Sequence, residues 1–171
     1  LSPTLFDLEI CTTLAGWLHT AGRSTDALKV YKQAYAMAPY ALEIVEIIAS
    51  LKVEEAELTK TLKEYHEKRY LERNSPQLSS HSLDSSVRGL GRLSFIVPQT
   101  PPVWMQYVIS GLFYLYRYES EKSLENLQRL QPIFPKNVYL LRILAHAWEC
   151  HEIHEQAISL YKQILDRKSV V

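Results

Sequence analysis

Apolar and small residues recur along this chain with the spacing of paired helices. A window that opens at Leu8 shows the pattern most fully, with such residues at positions 7, 8, 11, 20, 24 and 27: Leu14, Ala15, Leu18, Ala27, Tyr31 and Ala34. The small residues at positions 8 and 20 would let two helices approach closely. Pro39, at position 32, would end the second helix because proline has no N–H to donate. The pattern predicts a helical hairpin.

The spacing recurs in further windows and is typical of the tetratricopeptide repeat (TPR), a helical hairpin of about 34 residues. Repeat 1 spans residues 8–41, and repeats 3 and 4 open at Trp104 and Val138. Their positions 8, 20 and 24 hold Gly111, Ser123 and Leu127, then Ala145, Ala157 and Tyr161. We therefore predict an all-α fold, a right-handed TPR solenoid of about four repeats with one inserted loop and with the first helices lining a concave face. An ordinary all-α bundle is the alternative.

Repeat 2 is degenerate, and a different kind of sequence follows it. It opens at Leu42 and keeps Ile48 and Ala49 at positions 7 and 8, but Lys52 and Thr61 occupy positions 11 and 20. A long second helix is expected over about residues 53–72. Residues 75–102 are rich in Ser, hold four prolines and show no sustained period. The predicted organisation is therefore repeats 1–2 in residues 1–74, an inserted loop in 75–102 with a short helical turn near 84–93, and repeats 3–4 in 103–171.

Charge and hydropathy exclude several functions. Nineteen basic and nineteen acidic residues give a formal net charge of zero, which disfavours binding to nucleic acid or to an anionic membrane. The longest apolar run, residues 103–116, is shorter than the roughly 20 residues of a membrane span. The chain begins at Leu1 without a signal peptide, so we expect a piece of a longer intracellular protein. We expect Cys11 and Cys150 to be reduced and buried.

The candidate chemistry is weak. His146 and Cys150 are four residues apart, a workable spacing for zinc, within a cluster that also holds Glu149, His151, Glu152 and His154. No second cluster supplies a closing pair of ligands, and His151 to His154 fall at the expected turn of repeat 4. Gly89 and Gly91 lack the flanking strand and helix of a dinucleotide site. We therefore predict no cofactor, no metal and no enzymatic activity.

The first helices of the repeats suggest a protein partner. A TPR that clamps a peptide carboxylate uses basic and amide side chains at positions 2, 5, 6 and 9, and Arg142 alone fits among repeats 1, 3 and 4. The same helices instead offer apolar and aromatic side chains, which protein interfaces favour. We predict a partner-binding surface made of Leu112, Leu115, Tyr116, Tyr139, Arg142 and His146. About half of these side chains could instead pack against a neighbouring repeat.

One stretch is more specific than the generic repeat. Residues 13–58 resemble the middle region of the subunit 7 family of the anaphase-promoting complex (cyclosome), whose members are TPR scaffolds of a ubiquitin ligase. The likeness is carried by Leu14-Ala15, Ala21-Gly22, Tyr31-Lys32, Pro39, Ala41-Leu42 and the tract 47–51, and again by Trp104, Asn137, Leu140, Leu141 and Ala145. The inserted loop is longer than the family's connection, and the family's N-terminal self-association region is not seen.

The resemblance implies a non-catalytic subunit that acts in mitosis and the cell cycle, in the nucleus and cytoplasm. Its implied partners are other TPR subunits of the same complex, and a homodimer is possible in the full-length protein. The alternative is a TPR adapter that binds a peptide of a client or of a transport or chaperone assembly. The repeat pattern is shared by both. The sequence of the full gene product and the proteins that co-purify with it would distinguish the subunit from the adapter.

Overall fold

The computed structural model describes residues 5–74 and 100–168, and all regular structure in these two ranges is helical. The helices are α1 (Leu5–Thr20), α2 (Ser24–Met37), α3 (Leu42–Ser50), α4 (Glu55–Asn74), α5 (Val103–Leu115), α6 (Ser120–Gln128), α7 (Val138–Cys150) and α8 (His154–Lys168). The predicted all-α fold class is confirmed. Most of the predicted loop, including the turn near 84–93 and both Gly89 and Gly91, lies outside the described residues. No helix in the described ranges is long and apolar enough to cross a membrane.

Three helix pairs form tight hairpins: α1–α2, α5–α6 and α7–α8. The small residues predicted at positions 8 and 20 are buried in all three, namely Ala15, Ala27, Gly111, Ser123, Ala145 and Ala157. Because these side chains add little bulk, the backbones of the paired helices approach closely and bury their apolar stripes against each other.

The turns of these hairpins share one geometry. Gly22, Tyr118 and Glu152 lie two residues before the second helix and have positive φ angles of 76°, 64° and 62°. The N–H of the next residue then donates to the carbonyl five residues earlier, as Arg23 does to Leu18 at 2.9 Å. This left-handed residue closes the first helix and turns the chain back along it.

Repeat 2 departs from this geometry. Helix α3 has 9 residues, whereas α5 and α7 have 13, so the turn residue Lys52 (φ 59°) comes about one helical turn early. Helix α4 also begins early, and its buried side chains are Leu58 and Leu62 (2% and 0% exposed), whereas Thr61 is half-buried. The backbones of α3 and α4 hardly approach each other. The assignment of Thr61 to position 20 was therefore wrong because the repeat is shortened before that point.

The core runs continuously through the helix pairs. Helix α2 packs against α3 and α4, helix α6 packs against α7, and α5 contacts α3, α4 and α7 as well as α6. Helix α5 therefore lies in the middle of the described structure. Its buried side chains include Met105, Val108, Ile109 and Leu112, each at most 1% exposed.

Candidate protein-interaction face

A charged group on α3 joins three helices that are far apart in sequence. The carboxylate of Glu46 accepts a hydrogen bond from the Tyr116 hydroxyl at 2.9 Å on one oxygen. Its other oxygen accepts from the Tyr139 hydroxyl at 2.9 Å and from an Arg142 Nη at 2.5 Å. We call these four residues the Glu46 cluster. It fastens the first helices of repeats 2, 3 and 4 to one another.

Local structure places each member of the Glu46 cluster. Tyr139 and Arg142 are three residues apart on α7 and therefore share a face, with the guanidinium 5.1 Å from the ring centroid. Tyr116 is the residue that ends α5. The Tyr139 hydroxyl also lies 3.0 Å from the Leu42 carbonyl oxygen at the start of α3. Tyr139 therefore spans from α7 to α3.

The electrostatics of the cluster favour one protonation state. Burial alone would raise the pKa of Glu46, but hydrogen bonds from Arg142, Tyr116 and Tyr139 outweigh it and hold the pKa below its usual value. Burial raises the pKa of both tyrosine hydroxyls, and the neighbouring Glu46 charge raises it further. At neutral pH the cluster is thus a carboxylate that receives three donors, one of them cationic.

The six residues predicted to bind a partner lie in different environments. Leu112 (0% exposed) and Leu115 (3% exposed) are in the core, where they contribute to packing and are not part of an exposed surface. Tyr116 and Tyr139 are half-buried and direct their hydroxyls to Glu46. The other two predicted residues, Arg142 and His146, keep exposed surface, and 46% of the Arg142 side chain is accessible.

The expected apolar groove along the first helices is closed at its centre. In repeat 3 the inward positions 2, 5, 6 and 9 are Met105, Val108, Ile109 and Leu112, and all four are buried. Helices α3 and α7 flank α5, and Tyr139 bridges them. Because these side chains are covered by the chain itself, repeats 2 to 4 do not present them to a peptide.

Sequence reasoning missed Glu46, although a signal was present. Glu46 is position 5 of repeat 2, and Arg142 is position 5 of repeat 4. A carboxylate within the apolar stripe of α3 needs a partner when it is buried. Arg142, at the same position of repeat 4, was an available partner for this carboxylate.

Sequence reasoning also missed an aromatic row on the helix connections. Tyr40 stacks edge-on against Tyr65 and His66 of α4, with ring centroids 6.4 and 5.8 Å away. Its ring lies 6.0 Å from Trp104, which in turn lies 5.3 Å from Phe134. The Tyr40 hydroxyl contacts Nε2 of His66, a residue only 3% exposed. The row ties α4 to the connections α2–α3 and α6–α7.

The residues considered for metal binding lie at the end of α7 and in the turn that follows it. Within residues 5–74 and 100–168, no three His, Cys, Asp or Glu side chains come together in a way that could hold a metal ion. His151 Nδ1 instead lies 3.0 Å from the Ser120 hydroxyl, and Glu149 faces Tyr161. Both cysteines are thiols outside any disulfide, as expected. The expectation that they are buried was wrong, since Cys11 is half-buried and Cys150 is exposed at the end of α7.

The distinctive features of the described residues are thus the outer helix surfaces, the closed inner face and the half-buried Glu46 cluster. Comparison with protein-family models, with curated proteins and with solved structures found no match to this chain.

Proposed function

We propose that this chain is a non-catalytic TPR scaffold that binds other proteins through the outer surfaces and ends of its helix stack. The observation that carries the proposal is the closed inner face of repeats 2 to 4. The four inward side chains of α5 are buried, so the face is used to hold the repeats together.

The regular step between hairpins supports the repeat assignment. Gly111 and Ala145, Ser123 and Ala157, and the turn residues Tyr118 and Glu152 are each separated by 34 residues. A period of this length in both packing and turn geometry is the property of stacked repeats. Such stacks commonly serve as binding surfaces.

The assembly we propose is the anaphase-promoting complex, on the basis of the sequence resemblance. In that setting the chain needs no cofactor, and its partners are other TPR subunits that pack side by side with it. Association through packed helices buries apolar area and involves little long-range charge. Because the chain has zero net charge, its binding should depend only weakly on salt.

A peptide-binding adapter is the second candidate. It is favoured by the accessible Arg142, which lies beside His146 on α7 and could hold a carboxylate. In the adapter, the Arg142 cation would dominate recognition of the peptide. In the scaffold, binding is distributed over helix surfaces.

Co-purification of the tagged chain from dividing cells separates the two candidates. The variants are Arg142→Ala and, as a matched control, Arg129→Ala, because both arginines are about half exposed and paired with a glutamate. For the scaffold we expect several cyclosome subunits to co-purify with the wild type and with both variants. A single client that is lost only with Arg142→Ala would favour the adapter. Absence of any cyclosome subunit from the wild type would contradict the proposed assembly.

A further inference from the structure

The hydroxyl of Tyr31 on α2 lies beside Gly16 of α1. A Cβ atom placed on Gly16 would be 3.9 Å from the Tyr31 oxygen. Tyr31 is only 4% exposed, yet its hydroxyl makes no hydrogen bond within residues 5–74 and 100–168. Since no side-chain oxygen or nitrogen in these two ranges is both enclosed and unpaired, the Tyr31 oxygen reaches the surface. It does so at the opening that a side chain on Gly16 would fill.

Polar groups surround this opening. Thr13 and His19 lie three residues before and after Gly16, so they share its face of α1, and both are exposed. Burial raises the pKa of the Tyr31 hydroxyl, so at neutral pH the group keeps its proton and can donate a hydrogen bond. We call the Tyr31 hydroxyl, Gly16, Thr13 and His19 the Gly16 site.

The inner face of repeat 1 differs from that of repeat 3. Positions 2, 5, 6 and 9 of repeat 1 are polar or small and none of them is buried: Glu9, Thr12, Thr13 and Gly16. The same positions of repeat 3 are apolar and are covered by the chain itself. A polar face gains nothing from contact with apolar side chains, so the composition of α1 favours a polar ligand.

The charge of this region selects the kind of ligand. Helices α1 and α3 contain glutamates and no Lys or Arg. Glu9 and Glu43, at position 2 of repeats 1 and 2, are exposed and form no ion pair with any residue that the structure describes. A positively charged ligand is therefore the complementary one.

We propose that the Gly16 site binds a basic segment of a partner protein in an extended conformation. The absence of a side chain at Gly16 lets the main chain of the segment approach α1, and one of its carbonyl oxygens accepts a hydrogen bond from the Tyr31 hydroxyl. The Lys or Arg side chains of the segment are attracted to Glu9 and Glu43. The site lies apart from Arg142 and from the outer helix surfaces, so it is independent of the function proposed above.

The test measures binding to the purified 171-residue chain by fluorescence anisotropy. The probe is a labelled peptide of alternating Lys and Gly, and a peptide of alternating Glu and Gly is its control. We expect the Lys peptide alone to bind, with an affinity that falls as salt is added. Tyr31→Phe should weaken binding about five- to tenfold, the loss expected for one hydrogen bond. Gly16→Leu should abolish it, because leucine covers the hydroxyl.

A matched pair of charge variants separates the site from general attraction. Glu9→Gln should weaken binding of the Lys peptide, whereas Glu121→Gln, at an exposed position of α6, should leave it unchanged. Circular dichroism of every variant establishes that the fold is kept. Gly16→Leu should fold, since a Cβ atom there meets no atom closer than 3.9 Å.

Two results would overturn the proposal. One is a wild-type chain that binds neither peptide or binds both equally. The other is binding that weakens with Glu9→Gln but not with Tyr31→Phe or Gly16→Leu, because charge alone would then account for it. Only purified chain and synthetic peptides are used, so these outcomes do not depend on the co-purification result.

Discussion

The Ser123 hydroxyl donates a hydrogen bond to the carbonyl oxygen of Gly111 at 2.8 Å, inside the α5–α6 hairpin. Ser123 is fully buried, so the bond crosses the closest approach of the two helices. A Cβ atom placed on Gly111 would lie 2.5 Å from Cδ2 of Leu127 on the facing helix. Glycine is therefore required here for space, since a larger residue would force the helices or Leu127 to move.

Replacing Gly111 with alanine should lower the free energy of unfolding by about 1–3 kcal/mol through overpacking against Leu127. In a Leu127→Ala background the space is open, and Gly111→Ala should become neutral or stabilise by up to about 1 kcal/mol, because alanine favours the helix. Denaturant unfolding of the four proteins measures this coupling. An equal cost of Gly111→Ala in both backgrounds would contradict the packing described.

Ala157→Leu should destabilise the α7–α8 hairpin. Ala157 is 4% exposed at the position where α8 faces α7, so the added atoms have no free space. We expect a loss of about 1–3 kcal/mol in the free energy of unfolding. Gln156→Leu is the control, since Gln156 is exposed on the same helix and its replacement should change stability by less than about 0.5 kcal/mol. An unchanged unfolding midpoint for Ala157→Leu would show that the register of repeat 4 is wrong.

Glu46→Gln should destabilise the protein by about 1–3 kcal/mol at neutral pH, because the charge that receives Arg142 and two tyrosine hydroxyls is lost. Glu43→Gln, at an exposed position of the same helix, provides the control and should have little effect. Equal stability of the two variants would exclude a stabilising role for the cluster.

The same variant predicts a pH dependence. The folded-state pKa of Glu46 lies below its unfolded value, because the hydrogen bonds from Arg142, Tyr116 and Tyr139 outweigh the opposing effect of burial. Its stabilisation is therefore present above the unfolded pKa of about 4.3 and is lost as the pH falls through the folded value. The stability difference between wild type and Glu46→Gln should be constant near neutrality and shrink below about pH 4. A difference that grows on acidification would contradict this.

Gly22→Ala should cost about 1 kcal/mol, although a Cβ at Gly22 would meet no atom within 4 Å. The cost comes from the positive φ of 76° that closes α1. Tyr118 occupies the matching turn position with φ 64° and is 84% exposed, so Tyr118→Gly should be more stable than Tyr118→Ala by about 1 kcal/mol. Thermal unfolding of these variants measures both effects. Equal stability of the glycine and alanine variants at position 118 would argue against a backbone cause.

The three helix hairpins could be predicted from the sequence because their determinants are local. Small residues such as Ala15 and Ala27 mark both helices of a pair, and in the first pair Gly22 marks the turn and Pro39 follows the second helix. Repeat 2 could not be predicted in detail. Its apolar stripe continues to Leu51, so the pattern does not signal that α3 ends at Ser50 and that the chain turns at Lys52.

Three members of the Glu46 cluster were named from the sequence, but as partner-binding residues. The sequence placed Tyr116, Tyr139 and Arg142 on the first helices of neighbouring repeats, and the structure brings all three onto Glu46. Their inward direction depends on how closely α3 and α7 flank α5. The distances of α3 and α7 from α5 are set by how the helices stack, and the sequence pattern of a single repeat does not contain them.

The bridge from Tyr139 to Glu46 bears on how the chain folds. In an ideal linear array each unit gains stability only from its immediate neighbours, so its parts can fold and unravel stepwise. Here α7 is bonded to α3 across the intervening hairpin, over a separation of 93 residues in sequence. Loss of the α7–α8 hairpin should therefore weaken the packing of α3 directly. The middle and last parts of the protein should behave as one cooperative folding unit, with fraying confined to α1 and α2 at the other end.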